Sequence, residues 1–522
     1  MSADPRSASD PIELTVDGEQ VQVPDDGGTL LEALRERLGK HGPKDGCSPQ
    51  GQCGCCTVLV DGAPRVACVT PLRRVAGRTI TTVDGLEPDV RDGWAEALCA
   101  TGGSQCGFCT PGIMVRLAGL RAKSPDTDSH APVERALQAH LCRCTGWQTI
   151  IEAWDRLVEA PDTEIERDLD LASQRATLEG GSPQTVSPQV ALGRGGFADD
   201  EAPAGALVAV PDGEGGWVVA ETLREARQRS GKIQGRRTTA PTAPPLELPE
   251  GDWVAALRTS WVEPAYLETD ASWCEPGGEP ATPLGNGGAF GGKVTSDLGE
   301  VARRLADEHG RPVRVLWSRE EAVRRGPKRP PVAGGIRADG SGFLRVVRTP
   351  GIIEAVAEVA PGLVVEEVDV AGPPTGSHLR AAGWAEALAL VAAARGEVGT
   401  VTAPGGGRAS AEVVDGRIRA RVWAGEVLDE VVLRSYAIGA AHMAYGWVTS
   451  ESLTVDDEGE VHDLTIRSFG VPRAVDTPPI EVTIEPDGGP AVNGSDAVFA
   501  AVAAAIWLHQ GTPTDWPTRG AL

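Results

Sequence analysis

The chain has 522 residues, enough for three or four domains at about 150 residues each. Lys and Arg number 49 against 74 Asp and Glu, and the net charge of -25 argues against nucleic acid or an anionic membrane surface as a partner. The longest apolar run, Ala497 to Leu508, is too short to cross a bilayer, and residues 1–10 lack the pattern of a signal peptide. We therefore expect a cytoplasmic protein with a disordered tail at residues 1–10.

The first predicted elements are two β-hairpins and a helix. Apolar residues alternate on both sides of Asp17-Gly18 and again on both sides of Asp61-Gly62, which predicts a hairpin at each turn. Between the hairpins, Thr29 and Glu32 form a capping box at the start of an amphipathic helix. Together with a cysteine-bearing loop, these elements predict a β-grasp fold of the ferredoxin type.

Cysteine placement carries most of the functional information. Ten of the 11 cysteines lie between Cys47 and Cys144, and in a reducing cytosol such clustering indicates metal binding rather than disulfides. Two sets of four can be drawn, and each set supplies the thiolates of one 2Fe-2S cluster. The first set is Cys47, Cys53, Cys56 and Cys68, and the second set is Cys106, Cys109, Cys142 and Cys144.

A structural zinc site is the alternative for either set alone, because C-x2-C pairs also bind zinc. The first set has the plant-type ferredoxin spacing with one residue added. In the second set, Cys142-x-Cys144 is too tight for the knuckle of a zinc ribbon, and the ferredoxin-like set directly upstream favours iron. The spacing from Cys53 to Cys56 excludes Cys55 as a ligand, and Cys99 is expected to be a buried apolar side chain.

Beyond residue 91 the apolar periodicity is helical. Helices are predicted after Thr110, from Pro132 and after Thr145, and their antiparallel packing would bring the second set to one buried end. Residues 161–195 are polar, which predicts a linker. Residues 196–522 mix short strands with Ala-rich helices and predict an α+β region; the clearest helices are Leu298 to Glu308, Gly383 to Arg395 and Asp496 to Leu508.

Three motifs in the first 160 residues resemble the xanthine oxidase and aldehyde oxidase family of molybdenum hydroxylases. They are C-G-C-C-T-V-L-V-D-G, Q-C-G-F-C-T-P-G and L-C-R-C-T-G-W. The resemblance implies an α+β protein with a β-grasp 2Fe-2S domain at residues 11–88 and a helical-bundle 2Fe-2S domain at 89–160. It also implies that electrons pass from a molybdopterin centre through both clusters to FAD.

A glycine-rich motif marks the second half of the chain. Gly287–Lys293 nearly spells a phosphate-binding P-loop, but Val294 stands where a Ser or Thr must bind magnesium. The segment resembles the G-G-G-F-G-G-K element of molybdenum subunits, although a glycine-rich turn without a ligand remains the alternative. The resemblance implies molybdopterin contacts for Gln105, Gly288, Phe290, Gly291, Gly292 and Arg380.

The second half also departs from the family. Only about 330 residues follow the linker, so 196–522 resembles a shortened molybdopterin-binding region without its G-Q-G element. The catalytic glutamate of the family aligns with Ser495, which cannot take a proton at neutral pH without a base of its own. Asp496 is the one nearby carboxylate, and its alternative role is a charge at a helix N-terminus.

Three hypotheses follow from these matches and departures. In the first, the chain is the iron-sulfur subunit of a multi-subunit molybdenum hydroxylase, with a large molybdenum-binding subunit and an FAD-binding subunit as partners. In the second, the shortened region itself binds molybdopterin and hydroxylates a substrate. In the third, the chain is a ferredoxin-like carrier without a dedicated oxidase partner.

Overall fold

The computed structural model of the protein describes residues 11–124, 129–159, 167–232, 235 and 237–522. The tail predicted at residues 1–10 lies outside the described residues. The fold is α+β, as expected from the sequence, and its sheets are mixed. No helix in the described part of the chain is both long and apolar enough to span a bilayer.

The first domain is built on a five-stranded sheet of order β2-β1-β5-β3-β4. Both predicted hairpins are present, and β1 pairs in parallel with β5 as a β-grasp sheet requires. The capping box is also present, since the N–H of Thr29 donates to Glu32 at 2.8 Å and the N–H of Glu32 donates to Thr29 at 3.2 Å. The elements are β1 (Ile12–Val16), β2 (Glu19–Val23), α1 (Leu30–Glu32) continued by a π-helical turn (Ala33–Arg37), β3 (Thr57–Val60), β4 (Ala63–Val66) and β5 (Thr79–Thr81), with short 3₁₀ turns at Ala67–Val69 and Leu72–Val75.

Four helices follow this sheet, as the periodicity predicts. They are α2 (Pro88–Thr101), α3 (Thr110–Lys123), α4 (His130–Leu137) and α5 (Gln148–Glu159). Helix α4 begins two residues before Pro132 because Ser129 caps it through the N–H of Ala131. The turns that lead into α3 and α5 carry the second cysteine set.

The described part of the segment predicted as a linker is helical rather than irregular. It contains α6 (Leu169–Gly180) and α7 (Pro188–Ala191), and α8 (Ala198–Glu201) follows. Arg175 and Glu179 of α6 are fully buried and form an ion pair of 3.0 Å. Arg175 also donates to backbone carbonyls of the second half, including Val427 at 3.0 Å. Two of the charged side chains that suggested a solvated linker, Arg175 and Glu179, are therefore buried inside the protein.

The rest of the chain forms three further sheets, of orders β7-β6-β10-β9, β13-β12-β11-β8-β18 and β14-β15-β16-β17. The strands are β6 (Leu207–Pro211), β7 (Trp217–Ala220), β8 (Ala255–Thr259), β9 (Ala271–Cys274), β10 (Val313–Leu316), β11 (Val332–Ile336), β12 (Gly342–Val347), β13 (Leu363–Val368), β14 (Val401–Thr402), β15 (Arg408–Val414), β16 (Arg417–Trp423), β17 (Ile480–Ile484) and β18 (Asp515–Trp516). The helices are α9 (Leu223–Arg229), α10 (Leu298–His309), α11 (Arg319–Arg325), α12 (Ile352–Val359), α13 (Trp384–Arg395), α14 (Glu430–Thr449) and α15 (Ser495–His509), and a 3₁₀ turn lies at Ala474–Asp476.

Helix α14 joins the two halves of the molecule. It packs with α15 in the apolar core of the second half, and it also contacts α2 and α6. The three helices predicted in this half, α10, α13 and α15, agree with the structure to within one residue at each end. Helix α14 therefore places residues of the second half beside the second cysteine set.

Candidate iron-sulfur sites

The first cysteine set lies on the turns around β3 and β4. The loop before β3 carries Cys47, Cys53 and Cys56, and Cys68 follows β4. All four side chains are buried. Hydrogen bonds from Cys53 and Cys68 lower the pKa of Cys47 well below its ordinary value. Cys68 also hydrogen bonds with Cys56, so hydrogen bonds link the four thiols in the order Cys53, Cys47, Cys68, Cys56.

Backbone N–H groups beside the first set donate hydrogen bonds to its sulfur atoms. The N–H of Gln50 donates to Cys47 Sγ at 3.2 Å, and the N–H of Cys68 donates to Cys56 Sγ at 3.4 Å. Gly54, between Cys53 and Cys56, has a φ of 75°, and a Cβ there would lie 2.5 Å from the ring of His140. Glycine is thus required for the loop to close over the sulfurs and against the helical domain.

The second cysteine set converges from two turns, as the sequence predicts. Cys106 and Cys109 precede α3, Cys142 and Cys144 precede α5, and all four side chains are buried. The sulfur atoms of Cys106 and Cys144 are 3.6 Å apart. The thiol of Cys109 donates to Cys142 and lowers the pKa of Cys142 to about 6.

Both sets have the donors that a 2Fe-2S cluster needs. Among the described residues, no group of three or more His, Cys, Asp or Glu side chains could hold a single metal ion. The second set instead consists of two contacting pairs, Cys106 with Cys144 and Cys109 with Cys142, and a two-iron cluster takes two thiolates on each iron. A zinc site would require four thiols around one ion. The pairing within the second set fits a 2Fe-2S cluster better than structural zinc.

Cys55 lies between the two sets and outside both. Its side chain is fully buried, and its thiol hydrogen bonds with Cys53 of the first set. It also interacts electrostatically with Cys47, Cys56 and, in the second set, Cys142. Cys99, in α2, is a buried side chain with no contact to either set. The burial of Cys99 agrees with its predicted role, and the exclusion of Cys55 as a ligand stays a prediction.

The glycine-rich segment packs against the second set. Gly288 has a φ of 83°, and a Cβ there would lie 2.9 Å from Cys106 Sγ and 3.6 Å from Cys144 Sγ. A Cβ at Gly287 would lie 1.5 Å from Nε2 of Gln184, and one at Gly291 would lie 2.0 Å from the carbonyl oxygen of His378. Protein atoms therefore fill the space that these glycines leave.

Molybdopterin does not fit the residues that the resemblance implied would hold it. Arg380 lies over the ring of Phe290 at 4.8 Å and forms an ion pair with Asp496 at 3.2 Å. The cavity beside them has a volume of about 30 Å³, whereas ligand pockets occupy roughly 300 to 1,000 Å³. It is lined by Arg143, Phe290, Arg380, Met443, Trp447 and Phe499, among others. A space of this size holds one or two water molecules.

A glutamate that the sequence analysis missed occupies the position opposite Ser495. Glu179 of α6 accepts hydrogen bonds from the hydroxyl of Ser495 at 2.5 Å and from its N–H at 2.9 Å. Asp496 lies in the first turn of α15, where its own N–H donates to Asn493 at 3.0 Å. The region thus holds an internal network of Glu179, Ser495, Asp496 and Arg380. No local pattern in residues 161–195 signalled this role of Glu179.

A buried ion pair fixes the second cysteine turn to the second half. Arg143, between Cys142 and Cys144, donates to both carboxylate oxygens of Glu451 at 2.6 and 2.7 Å and to the carbonyl of Pro264 at 2.9 Å. Burial raises the pKa of Glu451, and Arg143 opposes that shift. These contacts tie the turn between Cys142 and Cys144 to Pro264, which follows β8, and to Glu451, which follows α14.

The chain was compared with known proteins. The 2Fe-2S iron-sulfur cluster binding domain family matches residues 14–73, and the [2Fe-2S] binding domain family matches residues 82–155. Isoquinoline 1-oxidoreductase subunit alpha of Brevundimonas diminuta is 38% identical over 142 residues, which are 27% of this chain and 91% of that protein. A probable xanthine dehydrogenase subunit of Bacillus subtilis is 36% identical over 145 residues, which are 28% of this chain and 83% of that protein.

Two further comparisons concern longer proteins. Aldehyde oxidoreductase of Megalodesulfovibrio gigas is 42% identical over 145 residues, but the match covers only 16% of its length and 27% of this chain. The crystal structure of the aldehyde oxidoreductase from Desulfovibrio desulfuricans has a TM-score of 0.70 at 14% identity, covering 95% of this chain and 97% of that one, which is a likeness of fold. The chain belongs to the xanthine oxidase family of molybdenum hydroxylases, and it carries two 2Fe-2S binding domains in an iron-sulfur electron-transfer role.

Proposed function

We propose that this chain is the electron-transferring subunit of a multi-subunit molybdenum hydroxylase. Electrons would come from a molybdopterin centre on a large partner, and FAD on another partner would receive them. Each 2Fe-2S cluster, when bound, supplies a one-electron carrier. The observation that carries the proposal is the pairing of two buried sets of four cysteines with a second half in which protein atoms fill the molybdopterin place.

The residues of the chain hold the two carriers close together and away from water. The first cluster would lie on Cys47, Cys53, Cys56 and Cys68, and the second on Cys106, Cys109, Cys142 and Cys144. A hydrogen bond of 3.0 Å from the N–H of Leu141 to the carbonyl of Cys53 links the two loops. We propose that the second set, beside Gln105, lies nearer the molybdenum centre and that the first set lies nearer the flavin.

Val69 marks the face through which the first set would pass electrons to the flavin subunit. It follows Cys68 directly, contacts the cysteine loop at Gly51, and is 53% exposed. A single exposed valine is common on protein surfaces, so the position of Val69 directly after Cys68 is what makes it the place to test for a partner contact. The cytoplasm is the proposed location of the complex.

The other two hypotheses have less support. A self-contained hydroxylase would need room for molybdopterin beside Phe290 and Arg380, where the cavity is about 30 Å³. A carrier without an oxidase partner would have no need of the second half, which is packed against the second set through α14 and the Arg143–Glu451 pair. We therefore propose that the second half serves as an assembly surface for the large subunit.

Isolation of the affinity-tagged chain from its native cells tests the proposal. We expect a molybdenum-containing subunit and an FAD-containing subunit to copurify with it. Val69→Glu should reduce recovery of the FAD subunit, whereas Val254→Glu, at an equally exposed valine before β8, should not. Recovery of the tagged chain with two clusters and no partner would instead support the ferredoxin-like carrier.

A further inference from the structure

A cavity of about 530 Å³ lies beside the segment that joins the two cysteine sets. One of its lining residues is Leu141, which precedes Cys142 and hydrogen bonds to the carbonyl of Cys53. The volume lies within the roughly 300 to 1,000 Å³ that small-molecule sites occupy. The cavity therefore has room for a ligand of nucleotide size, unlike the space beside Phe290 and Arg380.

The charged residues that line this cavity are mainly arginines. Four arginines and one aspartate line it, although the chain as a whole has a net charge of -25. The arginines are Arg237, Arg467, Arg473 and Arg519, and the aspartate is Asp476. Like charges gathered around one cavity repel one another, and an anion between them relieves that repulsion. The cavity therefore attracts anions on a protein whose overall charge repels them.

Only one of the four arginines has a carboxylate partner within the described residues. Arg473 forms an ion pair with Asp476, with contacts of 2.5 and 3.0 Å. Arg467 donates hydrogen bonds to backbone carbonyls alone. The side chains of Arg237 and Arg519 form no ion pair and no hydrogen bond with any described residue. Three guanidinium charges therefore remain for a ligand to offset.

Backbone contacts hold two of these arginines at the cavity. Arg467 donates to the carbonyls of Gln52 at 2.9 Å and Gln138 at 2.8 Å, so its guanidinium is already oriented. Arg519 has a φ of 57°, which is uncommon for a residue other than glycine, and its N–H donates to the carbonyl of Thr449 at 3.0 Å. A guanidinium that is already oriented loses less conformational entropy when it binds an anion.

The cavity also has an apolar surface beside its charged one. Leu141, Tyr445, Val471 and Pro472 contribute that surface. Pockets for organic ligands combine apolar lining with a few polar groups that fix the orientation of the ligand. An organic diphosphate carries about three negative charges near neutral pH, which matches the three unpaired guanidinium groups. Arginine also suits phosphate oxygens geometrically, because it can donate two parallel hydrogen bonds.

We infer that this cavity binds an organic diphosphate of nucleotide size, with Arg467 and Arg519 on its phosphate oxygens. The ligand lies against Leu141 and therefore beside the backbone that joins the two cysteine sets. The proposed electron-transfer function does not require this site, so the two proposals can fail separately.

Isothermal titration calorimetry of the intact chain with ADP tests the inference. We expect ADP to bind, and we expect Arg467→Gln and Arg519→Gln each to weaken binding about tenfold, because each removes one charged hydrogen-bonding partner. Arg395→Gln is the matched control, since Arg395 is exposed at the end of α13 and does not line the cavity. It should leave the affinity unchanged. If Arg467→Gln loses iron, Arg519→Gln still tests the site.

The choice of probe distinguishes the sources of the diphosphate. FAD bound more tightly than ADP would assign the site to a dinucleotide, whereas equal or weaker binding of FAD would assign it to a free nucleotide. No binding of either probe to the wild-type chain would overturn the inference, and so would binding that both arginine variants retain. Sulfate that competes as well as ADP would show attraction to any anion and would also overturn it. Two intact clusters in any of these cases leave the electron-transfer proposal standing.

Discussion

The N–H of Leu141 donates a hydrogen bond of 3.0 Å to the carbonyl oxygen of Cys53, which belongs to the first cysteine set. Leu141 is the residue before Cys142, which belongs to the second set. One hydrogen bond and a short stretch of backbone therefore connect the two sets. The fully reduced chain should show magnetic interaction between its two clusters.

This interaction can be measured as splitting or enhanced relaxation of the paramagnetic resonance signals at low temperature. Cys106→Ser should abolish it while leaving the first cluster visible. Two signals that saturate independently in the fully reduced wild type would contradict the close approach of the loops.

A second prediction concerns which cysteines bind iron. Cys106→Ser should lower the iron content from about four to about two per chain, because the second set loses a thiolate that no other side chain replaces. Cys55→Ser should leave the content unchanged, since the spacing from Cys53 to Cys56 excludes Cys55 as a ligand. Iron and acid-labile sulfide analysis checks both variants, and loss of a cluster in Cys55→Ser would show that the ligand assignment is wrong.

A third prediction concerns the buried pair of Arg143 and Glu451. Glu451→Gln leaves the guanidinium of Arg143 buried without a counter-charge, which should lower the free energy of unfolding by about 3 kcal/mol. The second cluster should also be lost before the first as urea is raised, because Arg143 orients the turn between Cys142 and Cys144. Urea unfolding followed by cluster absorbance measures both effects.

The matched control for this pair is Glu481→Gln, which removes an exposed partner of Arg419. Its unfolding midpoint should stay close to that of the wild type, because exposed pairs contribute little. Equal effects of the two substitutions would contradict a special role for the buried pair.

A fourth prediction concerns pH. Burial lowers the pKa of His442 from 6.5 to about 3, with a smaller contribution from Arg143. The folded state keeps the imidazole neutral while the unfolded state takes up a proton below pH 6.5. The free energy of unfolding should therefore fall as pH falls from about 6.5 toward 3, by about 1.4 kcal/mol per pH unit for this group.

His442→Met should reduce the slope between pH 6 and pH 4 by that amount, and the remaining slope includes His140, whose pKa burial also lowers to about 3. Unfolding in urea at several pH values measures it, and His309→Gln, at an exposed position at the end of α10, should retain the wild-type slope. A slope that His442→Met leaves unchanged would show that His442 takes up its proton in the folded state.

Local signals explain why most of the fold could be predicted from the sequence. The hairpin at Asp17-Gly18, the capping box at Thr29 and the helix after Thr110 each depend on residues within a few positions of one another. The cysteine spacing likewise indicated the two sets, because cluster ligands on tight turns are close in sequence. The domain boundaries and the roles of the eight ligands stay predictions.

Contacts between distant segments could not be predicted in the same way. Glu179 meets Ser495 across more than 300 positions, and Arg143 meets Glu451 across 308. In the polar segment 161–195, charged residues indicated solvent exposure, and only the tertiary structure shows that Arg175 and Glu179 are internal. The glycine-rich motif indicated a molybdopterin contact, whereas Gln184 occupies the space beside Gly287.

Metal analysis of the separately expressed chain tests the central claim most directly. The account predicts about four irons and four acid-labile sulfides per chain, with only traces of molybdenum. Stoichiometric zinc with a single cluster would contradict the assignment of the second set. About one molybdenum per chain, together with bleaching of the clusters by a substrate that Asp496→Ala abolishes, would contradict the claim that this chain transfers electrons without a molybdenum centre of its own.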